Sequence, residues 1–197
     1  MNQLAIVLLA AGGSSRMGFP KQLIPFEGKK LVQIVAERLL ACRCFPTVVI
    51  LGGNSREVLP FLQGYTLDIL ENLDWQSGMS TSIRCAVTFV KAQYPEVTHL
   101  MFALVDQPSV QAEEYSSLVE AAETAPNKVI AAFYAGQWGA PMIFPSIYWN
   151  DLLQLTGDRG AAGIVRKMNP LDVVSIEMPN AGYDWDSPAD LPQNVKP

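Results

Sequence analysis

The feature that most constrains this chain is its opening apolar run. Leu4 to Leu9 is apolar without interruption and ends in the small residues Ala10-Ala11-Gly12-Gly13-Ser14-Ser15. A short continuous run, rather than an alternating one, suits a strand covered on both faces by helices. The pattern then repeats. Leu31, Ile34, Val35 and Leu39 recur at helical spacing, and Thr47 to Leu51 is rich in β-branched residues up to Gly52-Gly53. A short helix is predicted through Val58 and Leu62, and a strand over Leu67 to Glu71. Ile83, Ala86, Val87 and Val90 share one helical face, and His99 to Val105 reads as a strand ending at Asp106. Tyr115, Leu118, Val119 and Ala122 predict a helix, and Val129 to Phe133 another strand. This alternation predicts an α/β fold: three layers, Rossmann-like, with a mainly parallel sheet and helices on both faces.

The last third is less regular. Met142 to Phe144 reads as a short strand between Pro141 and Pro145, and Val173 to Glu177 as a late one. Ile147, Leu152 and Leu155 suggest a helix, as do Ile164, Val165 and Met168. No repeat, low-complexity tract or linker divides the chain, so one domain over residues 1–197 is expected.

Charge narrows the partners. Fourteen basic against nineteen acidic side chains leave a net charge of −5. Nonspecific nucleic-acid binding rests on lysine and arginine neutralising phosphates, so nucleic acid is an unfavoured partner. Any polyanion must meet local cations, backbone N–H groups or a metal ion. No apolar stretch is long enough to span a membrane. The first run has no basic residue before it and is followed by Arg16, so it reads as a buried strand rather than a leader. Cys42, Cys44 and Cys85 have neither disulfide-framework nor zinc-ligand spacing, which points to a cytoplasmic chain. At this size a monomer is the default.

In open α/β sheets, ligands sit beyond the carboxyl ends of the strands. The loops after Leu9, Glu71 and Val105 are therefore where function belongs. The first loop carries Gly12, Gly13, Gly18, Arg16 and Lys21. Small residues let its backbone approach a ligand, and successive N–H groups can cradle phosphate oxygens. Phe19-Pro20 precedes Lys21 and Gln22 follows it, which departs from a Walker loop. The dinucleotide fingerprint GxGxxG is absent, and Arg16 stands where a nucleophile elbow needs its last glycine. The single histidine, His99, opens a strand at the wrong end for a catalytic triad.

The segment LAAGGSSRMGFPKQLIP resembles the N-terminal signature of the nucleotidyltransferases that act on the molybdenum cofactor. Further segments match that family in order: Asn72 with Trp75, Gly78-Met79-Ser80-Thr81-Ser82, Asp106-Gln107-Pro108, Gly139-Ala140-Pro141, Gly157-Asp158-Arg159-Gly160-Ala161 and Asp184-Trp185-Asp186-Ser187-Pro188. The AAGxSSRMG form, with Pro20 before the lysine, resembles the cytidylyltransferase branch (MocA-like within a MobA-like family). The resemblance implies a fold of the nucleotide-diphospho-sugar transferase type. It also implies a reaction, in which CTP and a molybdopterin-type cofactor give the cytosine dinucleotide form and pyrophosphate. A guanylyltransferase, or a sugar- or alditol-phosphate nucleotidyltransferase of the same fold, is the alternative enzyme. A nucleotide-binding factor that delivers cofactor to a molybdenum hydroxylase or its maturation chaperone is the alternative of another class.

The resemblance also implies roles. Arg16, Lys21 and Asp106 are the expected catalytic residues. Leu9, Ala10, Ala11, Gly12, Gly13, Lys21, Asn72, Gly78, Met79, Ser80 and Asp106 are expected to bind nucleotide. Asp106 and Asp186 are expected to hold Mg²⁺, a hard cation that takes oxygen ligands and triphosphate. Each has a plainer reading: Asp106 as a turn aspartate before Pro108, Asp186 as the start of a C-terminal helix, Ser80 as a helix N-cap. Ala140 and Ala162 stand where the family often has histidine and arginine, in the half expected to face the pterin.

Overall fold

The computed structural model describes residues 3–193 and 195. Its elements, in chain order, are β1 (Leu4–Ala10), β2 (Pro25–Phe26), β3 (Lys29–Lys30), α1 (Leu31–Leu40), β4 (Thr47–Leu51), α2 (Ser55–Val58), β5 (Asp68–Glu71), α3 (Met79–Gln93), β6 (His99–Leu104), α4 (Ala112–Thr124), β7 (Val129–Tyr134), β8 (Gln137–Pro145), α5 (Trp149–Leu153), α6 (Ala162–Val165) and β9 (Val173–Glu177). Seven strands form one sheet in the order β5-β4-β1-β6-β8-β7-β9, and β2 pairs with β3 in a small hairpin. Strands β5, β4, β1 and β6 run parallel, β8 is antiparallel to both its neighbours, and β9 is parallel to β7.

The apolar runs become doubly covered strands because successive residues serve opposite faces. Every residue of β1 is buried. Ile6 and Leu8 pack with Leu31, Val35 and Leu39 of α1 and with Tyr115 and Leu118 of α4. Ala5, Val7 and Leu9 pack on the other face with Ile83, Val87 and Val90 of α3 and with Trp149 and Leu152 of α5. Each fully buried Leu, Ile or Val contributes about 1.5–3 kcal/mol. This is the expected three-layer architecture. No helix is long and apolar enough to cross a membrane among the described residues.

The short strand expected over Met142–Phe144 is a nine-residue strand, Gln137–Pro145. It returns from β7 through Ala135 and Gly136, both at positive φ (49° and 75°), the handedness that a two-residue hairpin needs. Pairing jumps from Ala131 with Met142 to Ala132 with Gly139, so a bulge absorbs Ala140 and Pro141. Proline is tolerated there because no ladder hydrogen bond is asked of it. Nor does a helix begin at Asp186. A single 3₁₀ turn, Pro188–Asp190, is capped by Ser187, whose N–H and hydroxyl both donate to the Asp190 carboxylate (2.7 and 2.8 Å).

Chain order runs outward from β1 in both directions, to β4 and β5 on one side and β6 on the other. The carboxyl ends of β1 and β6 therefore flank the point where strand order reverses, the place where such sheets bind ligands.

Candidate active site

The loop after β1 is built by its own side chains. Ser14 adopts a positive φ of 53°, and its carbonyl accepts from the N–H groups of Met17 and Gly18 (3.0 and 3.1 Å). Its hydroxyl accepts from the Lys21 N–H at 2.9 Å. The buried Gln22 amide donates to the carbonyls of Ala10 (2.8 Å) and Gly12 (3.0 Å), pinning the loop to the strand it leaves. Sequence reading gave Gln22 no role, because a lone glutamine carries no signature.

Lys21 opens a 3₁₀ turn, and its side chain is 11% exposed. Its Nζ donates to Asp106 Oδ2 and to Asp186 Oδ1, at 2.8 Å each. Burial alone would lower the lysine's pKa, but Asp106 and then Asp186 outweigh it and raise it above the usual 10.5. The Lys21 hydrogen bond holds the Asp186 carboxyl below its ordinary range despite its partial burial. Arg16 reaches the other Asp186 oxygen at 3.1 Å from an exposed position. Asp106 Oδ1 is buried and has no hydrogen-bond partner. Burial first, then the nearby Asp106, pushes the Asp184 carboxyl up to about 6.

Asp186 arrives from far along the chain because of Trp185. That residue is buried, its ring stands edge-on to Phe26 (centroids 5.0 Å apart), and its backbone N–H donates to the Asp106 carbonyl at 2.8 Å. Its anchored position lets the flanking carboxylates, Asp184 and Asp186, stay at the sheet edge.

These groups line a cleft of about 470 Å³. Leu9, Ala11, Gly12, Gly13, Arg16, Lys21, Gly78, Met79, Asp106 and Asp186 line it, so the structure gathers most of the expected residues in one place. Trp75, Gln76, Ser82 and Asp158 also line it and were not anticipated as site residues. The Trp75 indole is wedged between two glycines. A Cβ on Gly13 would lie 2.5 Å from its Cζ3, and one on Gly53 2.5 Å from its Cζ2. Trp75 thus closes the wall between the β1 and β4 loops, a role visible only once those loops are neighbours.

Three expected nucleotide contacts are placed otherwise. Ala10 is buried within β1 and presents only its carbonyl, to Gln22. Asn72 is buried and fully engaged: its amide donates to Thr81 Oγ1 (2.8 Å) and Ser82 Oγ (3.0 Å), and its carbonyl oxygen accepts from the Asp74 N–H (3.0 Å). It fastens the β5 loop to α3 and lines a neighbouring hollow behind Trp75. Ser80 is fully buried, its N–H donating to the Gly157 carbonyl, so it neither lines the cleft nor caps the helix. Gly78 is the N-cap of α3, at a φ of 102° and against the Gly157 backbone, where a side chain has no room.

Among the described residues no cluster of three or more His, Cys, Asp or Glu side chains could hold a metal by itself. Asp106 and Asp186 still fit Mg²⁺, which is bound through one or two carboxylates plus substrate phosphates. Asp106 Oδ2 and Asp186 Oδ1 converge on one point 2.8 Å from each, held by the Lys21 ammonium, and that convergence of two carboxylate oxygens is where such a cation would sit. The three cysteines are free, and burial pushes each thiol up.

Comparison with known proteins agrees with this geometry. Residues 6–172 match the MobA-like NTP transferase domain. A nicotine blue oxidoreductase of Paenarthrobacter nicotinovorans is 29% identical over 191 residues, covering 92% of this chain and 91% of its own. A molybdenum cofactor cytidylyltransferase of Escherichia coli is 27% identical over 100 residues (50% and 52%). A molybdenum cofactor guanylyltransferase of Rhizobium rhizogenes is 26% identical over 116 residues (59% and 51%). Among solved structures, Rv0371c of Mycobacterium tuberculosis superposes with a TM-score of 0.80 at 24% identity, covering 96% of this chain and 95% of that one. With the family matched across most of its length and the cleft at the expected switch point, this chain belongs to the MobA-like NTP transferase family of nucleotidyltransferases.

Proposed function

We propose that the chain joins CMP from CTP to the terminal phosphate of a molybdopterin-type cofactor and releases pyrophosphate, with Mg²⁺ as its cofactor. One observation carries this reading: a lysine poised between two carboxylates beneath a glycine-rich loop. A terminal phosphate oxygen of the pterin attacks the α-phosphorus of CTP. The new P–O bond forms as the α–β bridging bond breaks and pyrophosphate leaves. No protein nucleophile is required, which suits a cleft lined by neither histidine nor cysteine among the described residues. Catalysis of this class is mostly positioning and charge stabilisation. Lys21 and Arg16 balance the phosphate charge, and the β1-loop N–H groups orient its oxygens. Mg²⁺, held by Asp106 and Asp186, would neutralise the triphosphate and polarise the bond that breaks. The acceptor reading places this activity in the cytoplasm, with a molybdenum hydroxylase or its maturation chaperone as recipient.

The relation to a nicotine blue oxidoreductase favours one second reading, a redox reaction, which in a sheet of this kind would place a dinucleotide on the glycine loop. Against it stands the path of the chain. A Rossmann pyrophosphate rests on the helix that directly follows the glycine loop. Here a 3₁₀ turn and a hairpin follow, and α1 begins only at Leu31.

The test is a competition in one tube: molybdopterin, Mg²⁺, and CTP and GTP at equal concentration, with mass analysis of the pterin product. A mostly cytosine dinucleotide is expected. A mostly guanine product reverses the base assignment. Nucleotide binding without pyrophosphate release leaves the delivery factor, and oxidation of a reduced nicotinamide dinucleotide in a parallel tube supports the second reading.

A further inference from the structure

Lys21 occupies the place that the cation of the proposed reaction must take. Its Nζ spans Asp106 Oδ2 and Asp186 Oδ1 at 2.8 Å each, in a cleft where its side chain is 11% exposed. An ammonium group and a divalent cation cannot share those two oxygens at those distances. The lysine backbone is fixed by its N–H bond to Ser14 Oγ, so relief comes from the side chain alone. The nearest new destination for that side chain is a phosphate lying along the glycine loop, which lines the same cleft. The exposed Arg16 can follow, since among the described residues its one ion pair is with Asp186.

We propose that Lys21 is an internal plug of the divalent-cation site, closing it to free cation and opening it when a nucleotide's phosphates draw the ammonium away. This rests on the assignment of the cation to Asp106 and Asp186, and on nothing about cytosine or the pterin. It makes cation and nucleotide binding mutually supportive. Each removes an obstacle to the other, and by linkage the coupling is reciprocal. It gives Lys21 two partners in turn: carboxylates before the nucleotide binds, phosphate afterwards.

The experiment measures Mn²⁺ binding without nucleotide, by loss of the free-ion electron paramagnetic resonance signal. Wild type is compared with Lys21→Met, Lys21→Gln and Lys21→Met/Asp106→Asn. The single variants should bind Mn²⁺ about tenfold more tightly than wild type, the equivalent of one charge-assisted hydrogen bond removed from competition. Added Mn²⁺ should raise their melting midpoints far more than that of wild type. The double variant should lose the gain, which places it at this site. Equal or weaker Mn²⁺ binding by both folded single variants overturns the plug. So does failure of both to fold even in Mn²⁺, since the cation should replace the ammonium. No nucleotide or pterin is present, so an inactive transfer assay leaves this result standing. Conversely, tight Mn²⁺ binding by nucleotide-free wild type ends the plug without touching the transferase reading.

Discussion

Strand β6 has a polar residue at each end, and the two are treated in opposite ways. His99, its first residue, is buried and satisfied: Nε2 lies 2.8 Å from the Pro126 carbonyl and Nδ1 2.8 Å from the Thr98 hydroxyl. Asp106, just past the other end, has one oxygen on Lys21 and the other buried without a partner. A buried polar atom normally finds a partner, because leaving it bare costs about 1–3 kcal/mol. The satisfied end is finished as structure. The unsatisfied end gathers Lys21, Arg16, Asp184 and Asp186 around an oxygen that still has no donor.

The sharpest way to break this contrast is to remove the charge at the cleft end. Lys21→Met should lower turnover by about 10²–10³-fold, the range for one preorganised stabilising donor. It should also lower the melting midpoint, because Asp106 and Asp186 lose the cation between them. The Lys21→Met/Asp106→Asn double variant should recover most of that midpoint and none of the activity. Thermal denaturation read beside a transfer assay separates the two quantities. If the single variant melts like wild type, the lysine does not neutralise these carboxylates. If the double variant regains turnover, the cleft end is structural after all.

A neutral change asks whether shape at the cleft end matters apart from charge. Gly13→Ala places a methyl group against the Trp75 ring, and the ring must shift into the cleft or the loop must move away. Overpacking of this kind costs about 1–3 kcal/mol. The expected signature is a nucleotide KM raised about tenfold with a smaller change in kcat. An unchanged KM would mean that the indole is not a wall of the nucleotide site.

The two ends also differ in how far they could be read from sequence. Doubly covered strands and one-faced helices impose periodicity, so β1, β4, β6, α1, α3 and α4 were legible. That Gly12, Gly13, Lys21 and Asp106 share one cleft was legible because each follows the carboxyl end of a strand, where such sheets gather their loops. Strand β8 was cut short because its turn is Ala135-Gly136, without the asparagine or aspartate that marks such hairpins, and because a bulge hides Pro141. Asn72 and Ser80 misled for another reason. Their side chains are polar and near the cleft in sequence, but whether an amide faces a ligand or a neighbouring helix is settled by packing. Trp185 carried no role of its own in the sequence, and only the contact with Phe26 shows it as the anchor of Asp186.

The smallest expected effect lies at the satisfied end. Burial holds the His99 imidazole below its ordinary 6.5, so the folded chain keeps it neutral where the unfolded chain takes up a proton. Its bonds suit that form: the Pro126 carbonyl can only accept, so Nε2 carries the hydrogen, and Nδ1 of the neutral ring is left to accept from the Thr98 hydroxyl. Between the folded and unfolded pKa values the unfolded state binds more protons, and stability therefore rises with pH. The contribution of His99 is fully present above 6.5 and is lost as pH falls through the folded value. His99→Gln can still donate to the Pro126 carbonyl and does not titrate. It should cost about 1 kcal/mol at pH 7.5, the worth of an imperfectly replaced hydrogen bond. Denaturant melts from pH 7.5 to 5 should show wild type losing stability faster than the variant, so that the gap between them narrows. Parallel curves would mean that His99 takes up its proton alike in the folded and unfolded chain and that the amino end of β6 is no more settled than the carboxyl end. Transfer activity at pH 7.5 should be unchanged by this substitution, since it lies at the opposite end of the strand from Lys21 and Asp106.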